Sequence, residues 1–237
     1  MSRQNLFNNL PKIVVSVADK EQNKDIAELP VDILEIRVDQ FQDKSVPYVY
    51  AEIKKRKNLG VPIILTIRNQ QQEGGTPPYI SDKDKLAIFE ETIELVDIVD
   101  IELSTIIKTK MISIAKNHDK IIIISSHCLD KTPDMSILES ILEQGIDTGA
   151  NIIKIAAKAN TREDVIRLLE FTITHRRENI ITMSLGRHGA ISRLAFPLVG
   201  SMFTYTYMDT PKAEGQLHID KLFSDLKFYG LINEQNY

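Results

Sequence analysis

Eight short runs of apolar, mostly β-branched residues recur along the chain. Each has the length of a strand, and most lack the polar alternation that a sheet with one face in water would show. This pattern is typical of parallel strands buried on both faces, so it predicts eight such strands. The runs are KIVVSVA (12–18), DILEIRVD (32–39), PIILTIR (62–68), VDIVDIE (96–102), KIIIISSH (120–127), NIIKIAA (151–157), NIITMSL (179–185) and FTYTY (203–207).

Helical patterns separate most of these runs. One serine and one threonine are each followed by aspartate three positions later, and another threonine is followed directly by proline. Both arrangements are typical of helix starts. Apolar residues at helical spacing follow each start and also occupy the last segment. The predicted starts are Ser81, Thr132 and Thr161, and the last helix is predicted to bury Ile219, Leu222, Phe223 and Leu226.

Strands that alternate with helices in this way predict an α/β fold, a (β/α)8 TIM barrel formed by residues 1–237 as a single domain. The alternative is an open doubly wound sheet. That fold would be favoured by a glycine-rich phosphate loop after the first strand, but the segment VSVADKEQNKD contains no glycine. No low-complexity linker divides the chain, and we therefore favour the barrel.

Composition and charge narrow the range of partners. The formal net charge is −4 and the pI is about 5.8, so there is no basic excess that would indicate nucleic-acid binding. Cys128 is the single cysteine, which excludes an intrachain disulfide. The apolar stretch from Ile13 to Ala18 is too short for a signal-peptide core or a membrane span. We therefore expect a cytoplasmic protein that binds neither membrane nor nucleic acid.

Polar residues near the ends of the predicted strands are the main functional signal. Active sites of (β/α)8 barrels lie at the carboxyl ends of the strands, and side chains two apart share one face of a strand. A purely structural barrel would have valine, isoleucine and leucine there. This chain instead has Ser16, Glu35, Arg37, Arg68, Asp100, Glu102, Ser125, His127 and Lys154.

Lys154 has the strongest chemical implication, because it lies among Ile152, Ile153 and Ile155 in the sixth strand. A desolvated lysine is a candidate nucleophile for a carbonyl carbon, and the imine that it forms acidifies the adjacent C–H. Strands five and six are neighbours in a barrel, about 4.8 Å apart. His127 would therefore be within reach to remove that proton.

Structural roles for the same residues remain open. Lys154 could extend its ammonium group into water, and His127 could be a hydrogen-bonded structural histidine. Glu35 and Arg37 could form an internal ion pair. Cys128 is a competing nucleophile, but it follows His127 directly and would point to the opposite face of the strand.

Three segments extend the candidate site. The long polar loop 68–81 carries Glu73 and could cover the mouth of the barrel. Residues 182–196 and 210–216 follow strands seven and eight and bring Arg193 and Gln216 toward the same end. An arginine there suits a carboxylate or a phosphate, so we expect an anionic small molecule as substrate.

Several segments together resemble a known family. PKIVVSVAD, DILEIRVD, TIR followed by EGG, SSHCLDKTP, IIKIAA, ITMSLGRHGAISRLAF and EGQ follow one another much as in the type I 3-dehydroquinate dehydratases of the shikimate pathway. The resemblance runs from near Pro11 to about Asp220. It implies a homodimer that dehydrates 3-dehydroquinate to 3-dehydroshikimate through a Schiff base, with no metal and no cofactor.

The resemblance also implies roles for individual residues. Lys154 would form the imine, His127 would act as general acid and base, and Glu73 would support the histidine. The residues that would contact the substrate are Ser16, Glu35, Arg37, Arg68, Met183, Arg193, Tyr205 and Gln216.

Two positions depart from the family pattern. The interval from Arg68 to Glu73 is one residue longer, and Lys212 stands where the family often has serine. Two other functions remain open at this stage. One is a class I aldolase, which would use the same lysine chemistry to break a C–C bond. The other is a non-catalytic barrel that binds a small carboxylate.

Overall fold

The structure, a computed structural model, describes residues 11–22, 26–27, 29–68, 77–211 and 213–232. Its strands are β1 (Lys12–Val17), β2 (Ile33–Arg37), β3 (Ile63–Thr66), β4 (Ile98–Glu102), β5 (Ile121–Cys128), β6 (Ile152–Lys158), β7 (Ile180–Leu185) and β8 (Phe203–Thr206). Its helices are α1 (Val46–Lys57), α2 (Asp82–Thr92), α3 (Lys108–Asn117), α4 (Met135–Asp147), α5 (Arg162–Thr174), α6 (Ser192–Val199) and α7 (Ile219–Phe228). Short 3-10 helices span Val38–Gln40, Ile93–Leu95 and His188–Ile191.

The strands form one parallel sheet in the order β7-β6-β5-β4-β3-β2-β1-β8, which curls into a nearly closed barrel with helices around it. All eight predicted strands and the (β/α)8 barrel are confirmed. Each strand is buried on both faces, which explains why its sequence is almost continuously apolar. Among the described residues, no helix combines the length and apolar character needed to cross a membrane.

Buried apolar residues form three clusters, and the smallest of them joins Ile13 of β1 to α7. The other two lie outside and inside the ring of strands. Outward-facing strand residues such as Leu34 and Val99 pack against helix residues such as Ile53 and Phe89. Inward-facing residues form a second cluster that we call the barrel floor; it includes Val14, Ile33, Ile64, Ile98, Ile121, Ile123, Ile152, Ile181 and Phe203. The polar residues of the candidate site lie above this floor, toward the carboxyl ends of the strands.

Serine hydroxyls complete the barrel between β7 and β8. Met202 N–H donates to the Ile180 carbonyl at 2.9 Å and brings β8 beside β7. Farther along β7, the Ser201 hydroxyl accepts from Thr182 N–H at 3.0 Å and donates to Thr182 C=O at 3.2 Å. The Ser192 hydroxyl bonds to Ser184 N–H and C=O at the same two distances. These hydroxyls satisfy buried backbone groups of β7 that a neighbouring strand would otherwise pair.

Two of the three predicted helix starts are confirmed. Ser81 and Thr161 each accept a hydrogen bond from the backbone of the aspartate three residues later, and Thr161 forms a reciprocal capping box. The start predicted at Thr132 is wrong, because α4 begins at Met135 after Asp134. Thr132 instead donates its hydroxyl to the Lys158 carbonyl at 2.8 Å, which ties the loop after β5 to the end of β6.

Candidate active site

One cavity of about 90 Å³ lies at the carboxyl ends of the strands. It is lined by every residue that the family resemblance assigns to the site and that the structure describes. These residues come from strands β1, β2, β5, β6, β7 and β8 and from the segments that follow the strands. Glu73 and Lys212 lie outside the described residues. The lining residues from the prediction are Ser16, Glu35, Arg37, Arg68, His127, Lys154, Met183, Arg193, Tyr205 and Gln216.

Lys154 lies at the base of this cavity and is 4% exposed. Its Nζ atom is 2.9 Å from Asp100 Oδ2 and 3.6 Å from Glu35 Oε1, and it lies 4.3 Å from the centre of the Tyr205 ring. Two carboxylates and an aromatic face balance the charge of this lysine and offset the cost of burial.

Asp100 connects several of the charged groups. Its Oδ1 atom accepts from Arg68 at 3.0 Å and from the Ser125 hydroxyl at 2.6 Å, while Oδ2 accepts from Lys154. Burial would raise the pKa of Asp100, but the charges of Arg68, Lys154 and His127 lower it far below its ordinary value. Asp100 therefore stays ionised, and its two oxygens fix the positions of the Arg68 and Lys154 side chains relative to each other.

The importance of Asp100 was not predicted from the sequence. Its parity and its place near the end of β4 marked it as a polar candidate, but nothing in the sequence links it to Lys154, 54 residues away. Glu102 shares that parity, yet it forms a buried ion pair with Lys85 of α2. Ser125 also belongs to the network, because its hydroxyl accepts from Arg68 at 2.9 Å.

Glu35 is held by hydroxyl donors on both neighbouring strands. Ser16 of β1 donates to Oε2 at 2.5 Å, and Thr66 of β3 donates to Oε1 at 3.0 Å. Burial raises the pKa of Glu35, but the charges of Lys154 and Arg37 and the hydrogen bond from Ser16 lower it, and the net shift is downward. The register pairs Ser16 with Glu35 directly, which is why their side chains meet.

Arg37 is oriented by a carboxylate on the same segment. Its Nε and Nη2 atoms donate to the two oxygens of Asp39 at 2.9 and 2.8 Å. Burial lowers the pKa of Arg37, but the charge and hydrogen bonds of Asp39 and the charge of Glu35 raise it. The net shift is upward, so the guanidinium stays charged. Asp39 was not predicted to contribute to the site.

Arg193 lines the cavity and has hydrogen-bond donors with no partner in the described part of the chain. It is 2% exposed, and its Nη1 atom donates to Met183 Sδ at 3.0 Å. Its Nε and Nη2 atoms are buried and have no hydrogen-bond partner among the described residues, and the same holds for the Tyr205 hydroxyl. Burial lowers the pKa of Arg193 to about 10, which leaves it charged at neutral pH. Buried donors of this kind favour binding of an anion.

His127 and Gln216 line the upper part of the cavity. His127 is half-buried near the end of β5 and pairs in register with Ala156, two residues beyond Lys154. Gln216 accepts from Ala213 N–H at 3.1 Å through its side-chain oxygen. Within the described ranges, no group of three or more His, Cys, Asp or Glu side chains is arranged to hold a metal ion.

Comparisons with known proteins agree on one family. The model of the type I 3-dehydroquinase family matches residues 13–233. A 3-dehydroquinate dehydratase of Methanocella arvoryzae is 34% identical over 227 residues, covering 93% of this chain and 98% of that protein. The crystal structure of the 3-dehydroquinate dehydratase from Aquifex aeolicus superimposes with a TM-score of 0.80 at 37% identity, covering 92% of this chain and 98% of its own.

A further solved structure is informative about chemistry. The type I 3-dehydroquinate dehydratase from Clostridium difficile, crystallised with covalently modified comenic acid, superimposes with a TM-score of 0.84 at 29% identity. The match covers 94% of this chain and 93% of that one.

Proposed function

This chain belongs to the type I 3-dehydroquinase family, and we propose that it dehydrates 3-dehydroquinate to 3-dehydroshikimate through an imine on Lys154. The observation that carries this proposal is that one cavity holds both a buried lysine and Arg193, whose Nε and Nη2 atoms have no partner among the described residues. The lysine supplies a nucleophile for the substrate carbonyl, and the arginine supplies two parallel donors for the substrate carboxylate.

The first stage forms the imine. Lys154 releases its ammonium proton to solvent, and the free amine attacks the carbonyl carbon. The resulting carbinolamine takes up a proton and loses water, which leaves a protonated imine. The covalently modified ligand in the Clostridium difficile relative is consistent with covalent chemistry in this family. Asp100 stays ionised because its pKa is strongly lowered, so we assign it the positioning of Lys154 and Arg68 rather than proton transfer.

The second stage removes water from the substrate. His127 takes a proton from the carbon next to the protonated imine, and the electron pair of that C–H bond shifts toward the positively charged nitrogen to give a neutral enamine. The enamine then expels the substrate hydroxyl, which leaves as water with the proton that His127 returns. Hydrolysis of the conjugated imine releases the product and regenerates Lys154. Glu73 is proposed to support His127 in both proton transfers.

The remaining lining residues are proposed to hold the substrate. Ser16, Glu35, Arg37 and Arg68 offer hydrogen-bonding groups for its hydroxyls. Gln216 joins Arg193 at the carboxylate. Met183 and Tyr205 form the apolar and aromatic walls.

Borohydride trapping tests the proposal directly. The chain is incubated with 3-dehydroquinate, product is followed by the ultraviolet absorbance of its conjugated double bond, and borohydride is added during turnover. Fragmentation mass spectrometry should locate the reduced adduct on Lys154. Lys154→Met should abolish both adduct and turnover, whereas Lys158→Met should retain both. An adduct on Lys158 or Lys212 would contradict the assignment.

The His127→Ala variant separates imine formation from proton transfer. We expect turnover to fall by about 100- to 10,000-fold, the usual loss for a general acid or base. The reduced adduct on Lys154 should still form, because the amine attacks before His127 acts. Near-normal turnover would limit His127 to a structural role.

The same proposal includes a cytoplasmic homodimer that needs no cofactor. The dimer and the cofactor-free chemistry rest on membership of the family, and the single cysteine fits a reducing compartment. Light scattering after size-exclusion chromatography should give twice the 26.9 kDa chain mass. Full turnover after exhaustive dialysis against a chelator would agree with metal-free chemistry.

A further inference from the structure

A second lysine on β6 connects the site to a neighbouring loop. Lys158 lies four residues beyond Lys154 with the same parity, and its Nζ atom forms an ion pair with the Glu214 carboxylate. Glu214 lies in the segment 207–218, which joins β8 to α7. The ion pair therefore links the strand that carries the candidate nucleophile to the loop that carries Gln216.

Glu214 is also attached to the end of β7. Gly186 N–H donates to the Glu214 carbonyl at 3.0 Å, and Arg187 N–H donates to its carboxylate. The hydrogen bond from Lys158 and the charge of Lys158 lower the pKa of Glu214, which therefore stays ionised at neutral pH. The backbone and side chain of Glu214 thus contact the end of β6 and the residues that directly follow β7.

Glycines allow the two loops to approach closely. Gly215 has a φ of +84°, and a Cβ atom at this position would lie 2.5 Å from the Gly186 carbonyl oxygen. Gly186 itself has a φ of +86° and lies against the side chain of Lys158. A left-handed backbone and a close backbone approach both require glycine. The contact between the loops after β7 and β8 is therefore tight.

The fastened segment forms part of the cavity wall. Ala213 and Gln216 lie on either side of Glu214 and Gly215 and both line the cavity. We propose that Lys158 and Glu214 are positioning residues that hold segment 213–216 against the ends of β6 and β7, and so place Gln216 over the bound substrate. This inference rests on the proposed role of Gln216 at the substrate carboxylate.

The expected effect is modest, because both side chains are partly exposed and such ion pairs contribute little free energy. Lys158→Met keeps the side-chain stem but removes the charge, and Glu214→Gln keeps an acceptor for Arg187 N–H. Each should raise KM about two- to fivefold and leave kcat within a factor of two. The double variant should be no worse than either single one, because both remove the same interaction. Lys158→Arg should restore most of the affinity.

Two control variants make the result specific. Lys221→Met breaks an exposed ion pair with Asp225 on α7, away from the cavity, and should leave KM unchanged. Gln216→Ala should raise KM by at least as much as Lys158→Met.

Different outcomes contradict different parts of the proposal. If Gln216→Ala raises KM while Lys158→Met and Glu214→Gln do not, the positioning role is wrong and the role of Gln216 stands. If the increases in KM of Lys158→Met and Glu214→Gln multiply in the double variant, the two residues act independently. The proposed positioning role of their ion pair is then wrong. If Gln216→Ala leaves KM unchanged, the proposed role of Gln216 fails, and the positioning inference fails with it.

Discussion

Two arginines of the cavity, Arg37 and Arg193, differ in the hydrogen-bond partners of their guanidinium groups. Arg37 donates from Nε and Nη2 to both oxygens of Asp39. Arg193 has the same Nε and Nη2 atoms without a hydrogen-bond partner among the described residues. Buried donors without partners are costly, so a structure that keeps them favours a ligand that satisfies them. The Arg37–Asp39 pair shows the geometry that a substrate carboxylate would adopt at Arg193.

The Arg193→Lys substitution tests this interpretation. Lysine keeps the charge but cannot make two parallel hydrogen bonds, and a charge-assisted hydrogen bond contributes about 1.5–3 kcal/mol. Because about 1.4 kcal/mol corresponds to a factor of ten, substrate affinity should fall about tenfold or more. Affinity and melting temperature are measured on one preparation. Arg167→Lys, at an arginine on α5 that pairs with Asp164, is the matched control and should leave affinity unchanged.

A structural role for Arg193 would give another pattern. Its Nη1 atom contacts Met183, and its carbonyl accepts from the Thr204 hydroxyl, so it also packs within the barrel. A lower melting temperature with unchanged affinity would remove Arg193 from the site.

At the scale of single elements, the capping box of α5 gives a separate test of stability. Thr161 accepts from Asp164 N–H at 3.3 Å, and the Asp164 carboxylate accepts from Thr161 N–H at 3.0 Å. Thr161→Ala should lower the free energy of unfolding by about 1 kcal/mol, the usual cost of losing an N-terminal cap. Urea unfolding followed by circular dichroism measures the change.

The opposite end of α5 provides the control for this substitution. The exposed Thr174 hydroxyl donates to the Glu170 carbonyl within the helix, a bond that adds little stability. Thr174→Ala should therefore be close to neutral. Equal losses in the two variants would mean that the capping box contributes nothing of its own.

The strands and helix starts show which features a local sequence pattern can predict. Strands were predictable because burial on both faces leaves nearly uninterrupted apolar runs, as in the four isoleucines of β5. The start of α4 was not predicted correctly. Thr132 and Pro133 have the local pattern of a cap, but the Thr132 hydroxyl donates instead to the carbonyl of Lys158 on β6. Local spacing predicts a cap correctly only when no distant partner competes for its hydroxyl.

Part of the site was predictable because strand order and side-chain parity alone place some of its residues. Parity and strand order bring Lys154 and His127 to one end of the barrel without knowledge of any side-chain contact. The contacts of Asp100 and the Lys158–Glu214 pair depend on side chains 54 and 56 residues apart in sequence. Their positions follow only from the closed arrangement of the strands.

At the scale of the whole molecule, the residues that stabilise the barrel and the residues of the candidate site lie at different levels along the barrel axis. The barrel floor is apolar and rich in isoleucine, whereas the carboxyl ends of the strands carry the buried ion pairs of the candidate site. Buried ion pairs seldom stabilise a fold by themselves, so the floor and the outer layer beneath the helices supply most of the hydrophobic stabilisation. This division is typical of (β/α)8 enzymes, in which the carboxyl end of the barrel changes with the reaction.

The serine hydroxyls between β7 and β8 have a consequence for how the molecule opens. A hydroxyl that replaces a backbone partner is held by one side chain, so this junction should be the point at which the barrel first comes apart in local fluctuations. Hydrogen–deuterium exchange should then be faster for amides of 180–185 and 203–206 than for those of 121–128 and 152–158. Ser201→Ala should accelerate exchange at Thr182, whose N–H it leaves without an acceptor, while the exposed Ser113→Ala on α3 should not. Uniform protection around all eight strands would instead mean that the two hydroxyls close the ring as firmly as a backbone ladder does.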